Sequence, residues 1–436
     1  MEQQAVDMQA LATAAKAGDP DAQYKMAAIL SGEGHREQSV ALLKKAAANG
    51  HADARYTLAT STLLGLNVPR NPEHAANILA PTAAKGHLAS ARLYAVLQAM
   101  GHGCEKNWPA AINNVMTTVQ EGHAGACRDL ALLLILYRTQ DDLSLQLLMA
   151  AASRKDIISA MILVERFLHG ETLLTPGLAK AWCAHAKQMG HPLAFQFEPQ
   201  ISAEPDFSEV AVTDIPDITT DDIKALLAEP DSLPVPDATY VLDRPRVKTI
   251  KGLFPREICN YLIAQSAPRL APARIIDPQT GALREDPYRK SYTVTLWPVD
   301  MDIVLFAAGA IMCAAGDAPS DHGEMTSILA YEPGMQYGAH YDCLIPDAEG
   351  KNPELERSGQ RPRTVLVYLN QEYDGGETRF VRSEYQYKGE TGDAIVFDNV
   401  LDDGTIDEQS LHEGCPVTGG VKWLASKWIR EKTYQF

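Results

Sequence analysis

The first two hundred residues repeat, and nothing else in the chain restricts its fold as strongly. A short signal recurs at Gly18-Asp19, Gly50-His51, Gly86-His87, Gly122-His123, Lys155-Asp156 and Gly190-His191, at steps of 32 to 36 residues. Four positions after each start stands a small residue: Ala22, Ala54, Ser90, Ala126, Ser159 and Ala194. Each unit reads as two helices, for example Ala52 to Leu64 and then Asn71 to Lys85. Glycine suits the left-handed position that ends a helix. Pro72 and Pro109 fall where a first helical turn tolerates proline. Small residues at a fixed phase let successive helices approach closely. A period of this length with this pattern is an α-solenoid, spanning residues 8–198. The recurring His51, His87, His123 and His191 do not make a metal array. Stacked helices lie roughly 10 Å apart, whereas metal–ligand bonds are about 2 Å long. These histidines are expected to serve helix entry and packing.

Residues 199–237 break the pattern. Glu204-Pro205, Asp214, Asp217, Asp221, Asp222, Glu229-Pro230, Asp231, Pro234, Pro236 and Asp237 make this stretch acidic and proline-rich. Such composition reads as a solvated linker, with one short helix over Asp221 to Ala228. The break predicts that residues 238–436 fold and bind their ligands alone. From Tyr240 onward, Phe254 to Gln265 and Met301 to Ala315 read as helices that support a sheet, and short alternating strands follow. That order fits a double-stranded β-helix of the jelly-roll class. The expected fold class is therefore multidomain α and α+β. Its parts are an N-terminal α-solenoid of helical-hairpin repeats (8–198), an acidic linker (199–237) and a C-terminal jelly roll with supporting helices (238–436).

The chemistry gathers near the C-terminus. His340 and Asp342 are two residues apart, so a strand puts both on one face. A later strand can bring His412 to the same point. Two histidines and one carboxylate form the facial set that suits non-haem Fe(II), because it leaves the other face of the octahedron open. A lone His-x-Asp often arises by chance, but here the flanks are ordered. Tyr331-Glu332-Pro333-Gly334 precedes the pair. Arg363 to Asn370, Asp374-Gly375-Gly376-Glu377-Thr378 and Gly392 to Asn399 lie between the ligands. Leu411-His412-Glu413-Gly414 and Val421-Lys422-Trp423 close the series. From about Asp237 to the C-terminus the chain resembles the catalytic domain of prolyl 4-hydroxylases, within the 2-oxoglutarate/Fe(II) dioxygenases. The first half is similar to the Sel-one-like branch of tetratricopeptide-type repeats.

The resemblance implies specific roles. His340, Asp342 and His412 would hold Fe(II) and form the catalytic centre, with 2-oxoglutarate and O₂ as co-substrates and ascorbate as reductant. Lys422 would pair with the far carboxylate of 2-oxoglutarate, helped by Tyr331 and Thr378, since a buried lone anion is costly. The implied reaction is hydroxylation of an unactivated C–H, foremost a prolyl residue of a peptide or protein, with succinate and CO₂ as co-products. Residues 271–291 and 343–361 are expected to shape the substrate channel. Tyr288, Arg289, Arg363 and Trp428 are the candidate substrate contacts. The repeats would recruit a protein partner on their extended surface. Two other readings stay open: the same chemistry on a small molecule or free amino acid, and an interaction scaffold built on an inactive oxygenase fold.

Composition narrows the setting. Hydrophobic residues make up 46% and charged residues 22%, with a net charge of −17. That field disfavours nucleic acid and anionic membrane as partners. The start, Met1 to Asp7, lacks the basic and apolar regions of a signal peptide. The longest apolar runs, near Leu130 to Tyr137 and Ile303 to Ala315, fall short of the roughly 20 residues that span a bilayer. Cys104, Cys127, Cys183, Cys259, Cys313, Cys343 and Cys415 form no C-x-x-C. They read as reduced thiols in the cytoplasm.

Overall fold

A computed structural model describes residues 8–170, 174–208, 213–276, 283–285, 288–346 and 352–435. The chain divides into two compact units, Met1–Ala126 with Pro298–Ile303, and Cys127–Trp297 with Val304–Phe436.

The first unit carries the helices Met8–Ala17, Pro20–Gly32, Arg36–Ala48, Ala52–Leu64, Pro72–Ala83, Leu88–Met100 and Trp108–Gln120, each packed on its neighbour in sequence. The repeated signal is a helix-to-helix joint. Gly18, Gly50 and Gly86 adopt φ of +96°, +90° and +80°, which only glycine takes without strain. The next residue caps the following helix. Asp19 Oδ1 accepts from the Ala22 amide at 2.7 Å, His51 Nδ1 from Ala54 at 3.2 Å and His87 Nδ1 from Ser90 at 3.3 Å. The small residue of the motif is thus the third residue of the helix, buried where the chain turns in. An imidazole that accepts at Nδ1 carries its proton at Nε2. His87 Nε2 lies 3.1 Å from Asp53 Oδ1 of the preceding repeat, and His51 Nε2 lies 3.7 Å from Asp21 Oδ1. His191 is buried with neither ring nitrogen hydrogen-bonded, whereas His51 and His87 cap one helix and tie it to the repeat before. Their role is structural, as the spacing argument expects.

The second unit begins within the repeat helix Ala124–Leu136 and continues with the repeat helices Asp141–Ser153, Ile157–Leu168 and Pro176–Gln188. Here Asp156 does the capping, accepting from Ser159 at 2.8 Å. The acidic stretch that follows is not a free tether in its described part. Ile201, Ile223 and Leu227 are buried. Tyr137 Oη donates to the Ala228 carbonyl at 2.7 Å, and Ser320 donates to Asp231 at 3.0 Å. Its few apolar side chains anchor it while its carboxylates face outward. The short helix is Thr220–Leu226.

Two main antiparallel sheets follow, beside two two-stranded ones, Tyr373–Gly375 with Val417–Gly420 and Arg274–Ile276 with Leu283–Glu285. The larger runs in the order Ala238–Asp243, Arg246–Ile250, Ala394–Asp398, Arg363–Tyr368, Lys422–Ile429, Ser327–Tyr331, Tyr292–Thr295, Ala271–Pro272. The smaller runs Gln386–Tyr387, Thr378–Phe380, His412–Gly414, Gln336–His340, Arg289–Lys290. Sequence neighbours are rarely neighbours in these sheets, which is the topology of a double-stranded β-helix. Leu329, Tyr331, Leu366, Tyr368, Phe397 and Leu424 of the larger sheet share one buried cluster with Phe380 of the smaller. The helices Arg256–Ser266 and Ile303–Ala315 support the fold as expected. No helix among the described residues is long and apolar enough to cross a membrane.

Candidate metal and co-substrate site

Strand register assembles the site. His412 stands directly opposite His340 in the antiparallel pair of His412–Gly414 with Gln336–His340. Asp342 follows two residues later, just past the strand end, and its side chain turns back to the same point. One ligand atom from each of the three lies within 4.8 Å of the others. His340 Nε2 is 3.5 Å from Asp342 Oδ1, and His412 Nε2 is 3.6 Å from Asp342 Oδ2.

The outer contacts settle which atoms face inward. His340 Nδ1 is 2.8 Å from the Gly338 carbonyl, and His412 Nδ1 is 2.9 Å from the Ser410 carbonyl. A carbonyl only accepts, so both protons sit on Nδ1 and both Nε2 lone pairs point to the centre. Tyr337 stacks on His340 at 3.6 Å, and Phe397 packs edge-on to His412 at 4.6 Å. Burial, with His340 beside it, pushes the His412 pKa down to about 4. Burial also opposes ionisation of Asp342, but His412, His340 and the Thr364 hydroxyl outweigh it and hold that carboxyl well below its usual range. Two neutral imidazole lone pairs and one carboxylate fit a divalent cation.

A hydrogen-bond chain fixes the carboxylate. Asn399 Nδ2 donates to the Arg361 carbonyl at 3.2 Å, which sets the orientation of its amide. The same nitrogen donates to Thr364 Oγ1 at 2.9 Å. The Thr364 proton is then left for Asp342 Oδ2, 2.7 Å away.

The co-substrate candidates lie in the same cavity. Lys422 is directly opposite Tyr331 in the pairing of Lys422–Ile429 with Ser327–Tyr331. Its ammonium is buried, donates to the Gly376 carbonyl at 2.6 Å, and sits 5.5 Å and 5.4 Å from the rings of Tyr331 and Tyr368. Among the described residues it has no ion-pair partner. Burial pushes its pKa down to about 7. Gly376 has φ +69°, and a Cβ there would meet Lys422 Cδ at 3.1 Å, so the carbonyl approaches only because the residue is glycine. Thr378 Oγ1 is 2.8 Å from Tyr368 Oη.

One cavity gathers His340, Asp342, His412, Lys422, Tyr331 and Thr378, and Arg289 and Trp428 also line it. Arg289 lies over the Tyr337 ring at 5.1 Å, and Trp428 Nε1 is buried without a partner. The other two substrate candidates are placed elsewhere. Tyr288 is 72% exposed and rests against Gly338, accepting its amide at 2.7 Å. Arg363 pairs with Asp398, its neighbour across the strands, at 3.0 Å, and with Asp317 at 3.1 Å. That cross-strand pair occupies the guanidinium and turns it away from the cavity. Residues 277–282 and 286–287 of the first channel segment, and 347–351 of the second, lie outside the described residues. Sequence reading passed over Tyr368, Thr364 and Asn399. Alternation along Arg363–Tyr368 was the available signal for two of them, since it puts Thr364, Leu366 and Tyr368 on one face.

Fold and chemistry together define an iron- and 2-oxoglutarate-dependent oxygenase. The family model of the 2OG-Fe(II) oxygenase superfamily matches residues 326–430. Over 210 residues the chain is 30% identical to a protein named probable prolyl 4-hydroxylase 3 of Arabidopsis thaliana, covering 44% of this chain and 71% of that one. It is 32% identical to prolyl 4-hydroxylase 1 of the same plant, covering 43% and 70%. Among solved structures, the viral collagen prolyl hydroxylase of Paramecium Bursaria Chlorella virus-1 aligns with 42% of this chain and 95% of its own, at 23% identity and a TM-score of 0.34. A Sel1 repeat protein from Oxalobacter formigenes aligns with 41% of this chain and 77% of its own, at 22% identity and a TM-score of 0.37. The chain belongs to the 2OG-Fe(II) oxygenase superfamily, in its prolyl 4-hydroxylase-like branch. It is an oxidoreductase, a dioxygenase whose family uses Fe(II), 2-oxoglutarate and O₂.

Proposed function

We propose that this oxygenase hydroxylates a prolyl residue in a peptide or protein, converting 2-oxoglutarate to succinate and CO₂. The observation that carries the reading is the pairing of His412 with His340, which turns two Nε2 lone pairs and the Asp342 carboxylate onto one point beside the buried Lys422 ammonium. In this reading His340, Asp342 and His412 are the catalytic metal ligands. Iron and 2-oxoglutarate, when bound, supply the oxidising power needed at an unactivated C–H.

The chain's own residues do the positioning. The Gly338 and Ser410 carbonyls hold the imidazoles in the ligating tautomer. Thr364 occupies Asp342 Oδ2 and leaves Oδ1 for the metal. Lys422 exchanges a carbonyl partner for the far carboxylate of 2-oxoglutarate, and Tyr331 and Thr378 offer hydroxyls at the same end of the cavity. Tyr331 and Tyr368 exclude water around that pair and so strengthen it. Arg289 and Trp428 are the substrate contacts. Ascorbate as reductant is part of the same reading. So is the division into recognition repeats (8–198), connector (199–237) and oxygenase domain (238–436), with the repeats recruiting the protein substrate. The seven free cysteines fit a reducing compartment, the cytoplasm.

The test is turnover by the full chain with Fe(II), 2-oxoglutarate, ascorbate and a panel of proline-containing peptides. The expected result is succinate release matched by one added oxygen on the proline of a peptide, lost in His412→Ala. Oxygen appearing only on free amino acids or small molecules would move the substrate class.

A further inference from the structure

A second cavity, of about 1040 Å³, lies within the second unit on the opposite face of the catalytic sheet. Its floor is built by register. Tyr292, Ala330 and Trp423 are Cα partners across three adjacent strands. The residues next in sequence, Tyr331 and Lys422, point through to the co-substrate side, because side chains alternate along a strand. One sheet thickness separates the two cavities. The opposite wall comes from the repeat helix Ile157–Leu168, through Glu165, and from the helix Arg256–Ser266, through Asn260.

Two buried polar groups there are incompletely satisfied. Glu165 is 5% exposed, and its Oε2 has no hydrogen-bond partner. Its Oε1 has a loose 3.8 Å contact with Arg256, and the Asn260 amide approaches the same carboxyl without making a well-aligned hydrogen bond. Asn260 is 8% exposed, and its Nδ2 has no acceptor. A buried carboxylate oxygen left unpaired is costly, and so is a buried amide donor. Burial, reinforced by Glu257, pushes the Glu165 pKa up to about 8 against the opposing pull of Arg256 and Asn260. The cavity mouth repeats the same sign, since Glu332, Glu372 and Glu390 line it and are exposed. Arg256 is the one guanidinium among its lining residues, and no lysine lines it. Tyr292 and Trp423 supply aromatic surface, which attracts a desolvated cation.

We propose that this cavity binds a cationic ligand, an ammonium or guanidinium group seated on Glu165, with a neighbouring acceptor taken by Asn260. The chemistry is shared by a lysine or arginine side chain within a peptide and by a free diamine. The site is separate from the metal and co-substrate residues and does not depend on their roles.

Titration calorimetry on the full chain at physiological salt tests it with three probes. These are N-acetyl-arginine methylamide, 1,4-diaminobutane, and N-acetyl-norleucine methylamide as the neutral control. Heat from the arginine derivative alone assigns the site to a peptide side chain, and heat from the diamine alone assigns it to free amines. In both cases Glu165→Gln should weaken binding at least tenfold while 2-oxoglutarate binding stays within twofold. If Glu165→Gln does not fold, Glu372→Gln with Glu390→Gln at the exposed mouth should weaken binding about threefold by removing two attracting charges. Equal binding of the norleucine control, no binding of either cation, or full affinity in the variant that folds overturns the proposal.

Discussion

Lys422 has a carbonyl and two aromatic rings around its ammonium and no counter-ion among the described residues. Such a group is costly in the ligand-free protein and valuable when a carboxylate arrives. Truncating one partner of a buried charge pair costs about 2–5 kcal/mol. Lys422→Ala should therefore weaken 2-oxoglutarate by roughly 30-fold or more at about 1.4 kcal/mol per decade, measured by calorimetry, with metal affinity little changed. The pKa adds a second readout. Burial holds it near 7 in the ligand-free fold, against about 10.4 for an unfolded lysine. Between these values the unfolded chain holds the extra proton, so the Lys422 contribution to stability rises with pH through that window. Lys422→Ala should flatten that part of the profile. Binding of 2-oxoglutarate should take up a proton at pH 8 and none at pH 6, seen by calorimetry in buffers of different ionisation enthalpy. An affinity within twofold of the parent and no proton uptake would remove Lys422 from the site. Thr364 gives the matching test on the metal side. Thr364→Val keeps the shape, deletes the donor to Asp342 Oδ2 and leaves that oxygen without its partner, while Asn399 Nδ2 keeps only the Arg361 carbonyl. Outer-shell partners of this kind are worth about 10–100-fold in metal affinity. Co(II) titration followed by absorbance should show a loss in that range, and an unchanged affinity would make Thr364 a packing residue.

At the scale of elements, periodicity made most of this legible and register supplied what it could not. Alternation along Lys422–Ile429 puts Lys422, Leu424, Ser426 and Trp428 into the cavity and Trp423 on the other face, so an inward lysine is readable from its apolar neighbours. The pairing of His412 with His340 is a contact across 72 residues, and no local pattern states it; it came from resemblance. Arg363 was misplaced for the same reason. Its partner Asp398 is 35 residues away in sequence and adjacent only in the sheet. The acidic stretch misled in another way, because Ile223 and Leu227 are too sparse to outweigh the carboxylates in composition yet suffice to anchor it. In the repeats the spacing of Gly and His marked the joints, while the capping chemistry became visible only in the geometry. A lost side-chain cap costs about 1 kcal/mol. His87→Ala should lower the melting temperature by a few degrees, His87→Asn should restore most of it, and added zinc should leave the wild-type melting curve unmoved.

At the scale of the whole molecule, the compact boundary falls between Ala126 and Cys127 and not at the acidic stretch. The later repeat helices belong with the sheets. Arg166 of the helix Ile157–Leu168 is buried and pairs with Glu257 of the helix Arg256–Ser266 at 3.0 Å. Tyr137 and Arg154 donate to the carbonyls of Ala228 and Thr213, each at 2.7 Å. A fragment of residues 238–436 loses all of these. It leaves Glu257 without its guanidinium and uncovers the helix Arg256–Ser266, and breaking a buried ion pair alone costs about 3–5 kcal/mol. In a domain of this size that is a fall of about 10 °C in melting temperature. A fragment of residues 127–436 keeps every one of these contacts. It should unfold in one cooperative step and gain about 2.7 kcal/mol from 2-oxoglutarate at a hundredfold excess over its Kd, in the presence of Mn(II). Calorimetric melting of the two fragments side by side makes the comparison. Equal melting temperatures and equal stabilisation by 2-oxoglutarate would show that the oxygenase domain needs no repeat helix, and that the expectation drawn from composition alone was sound.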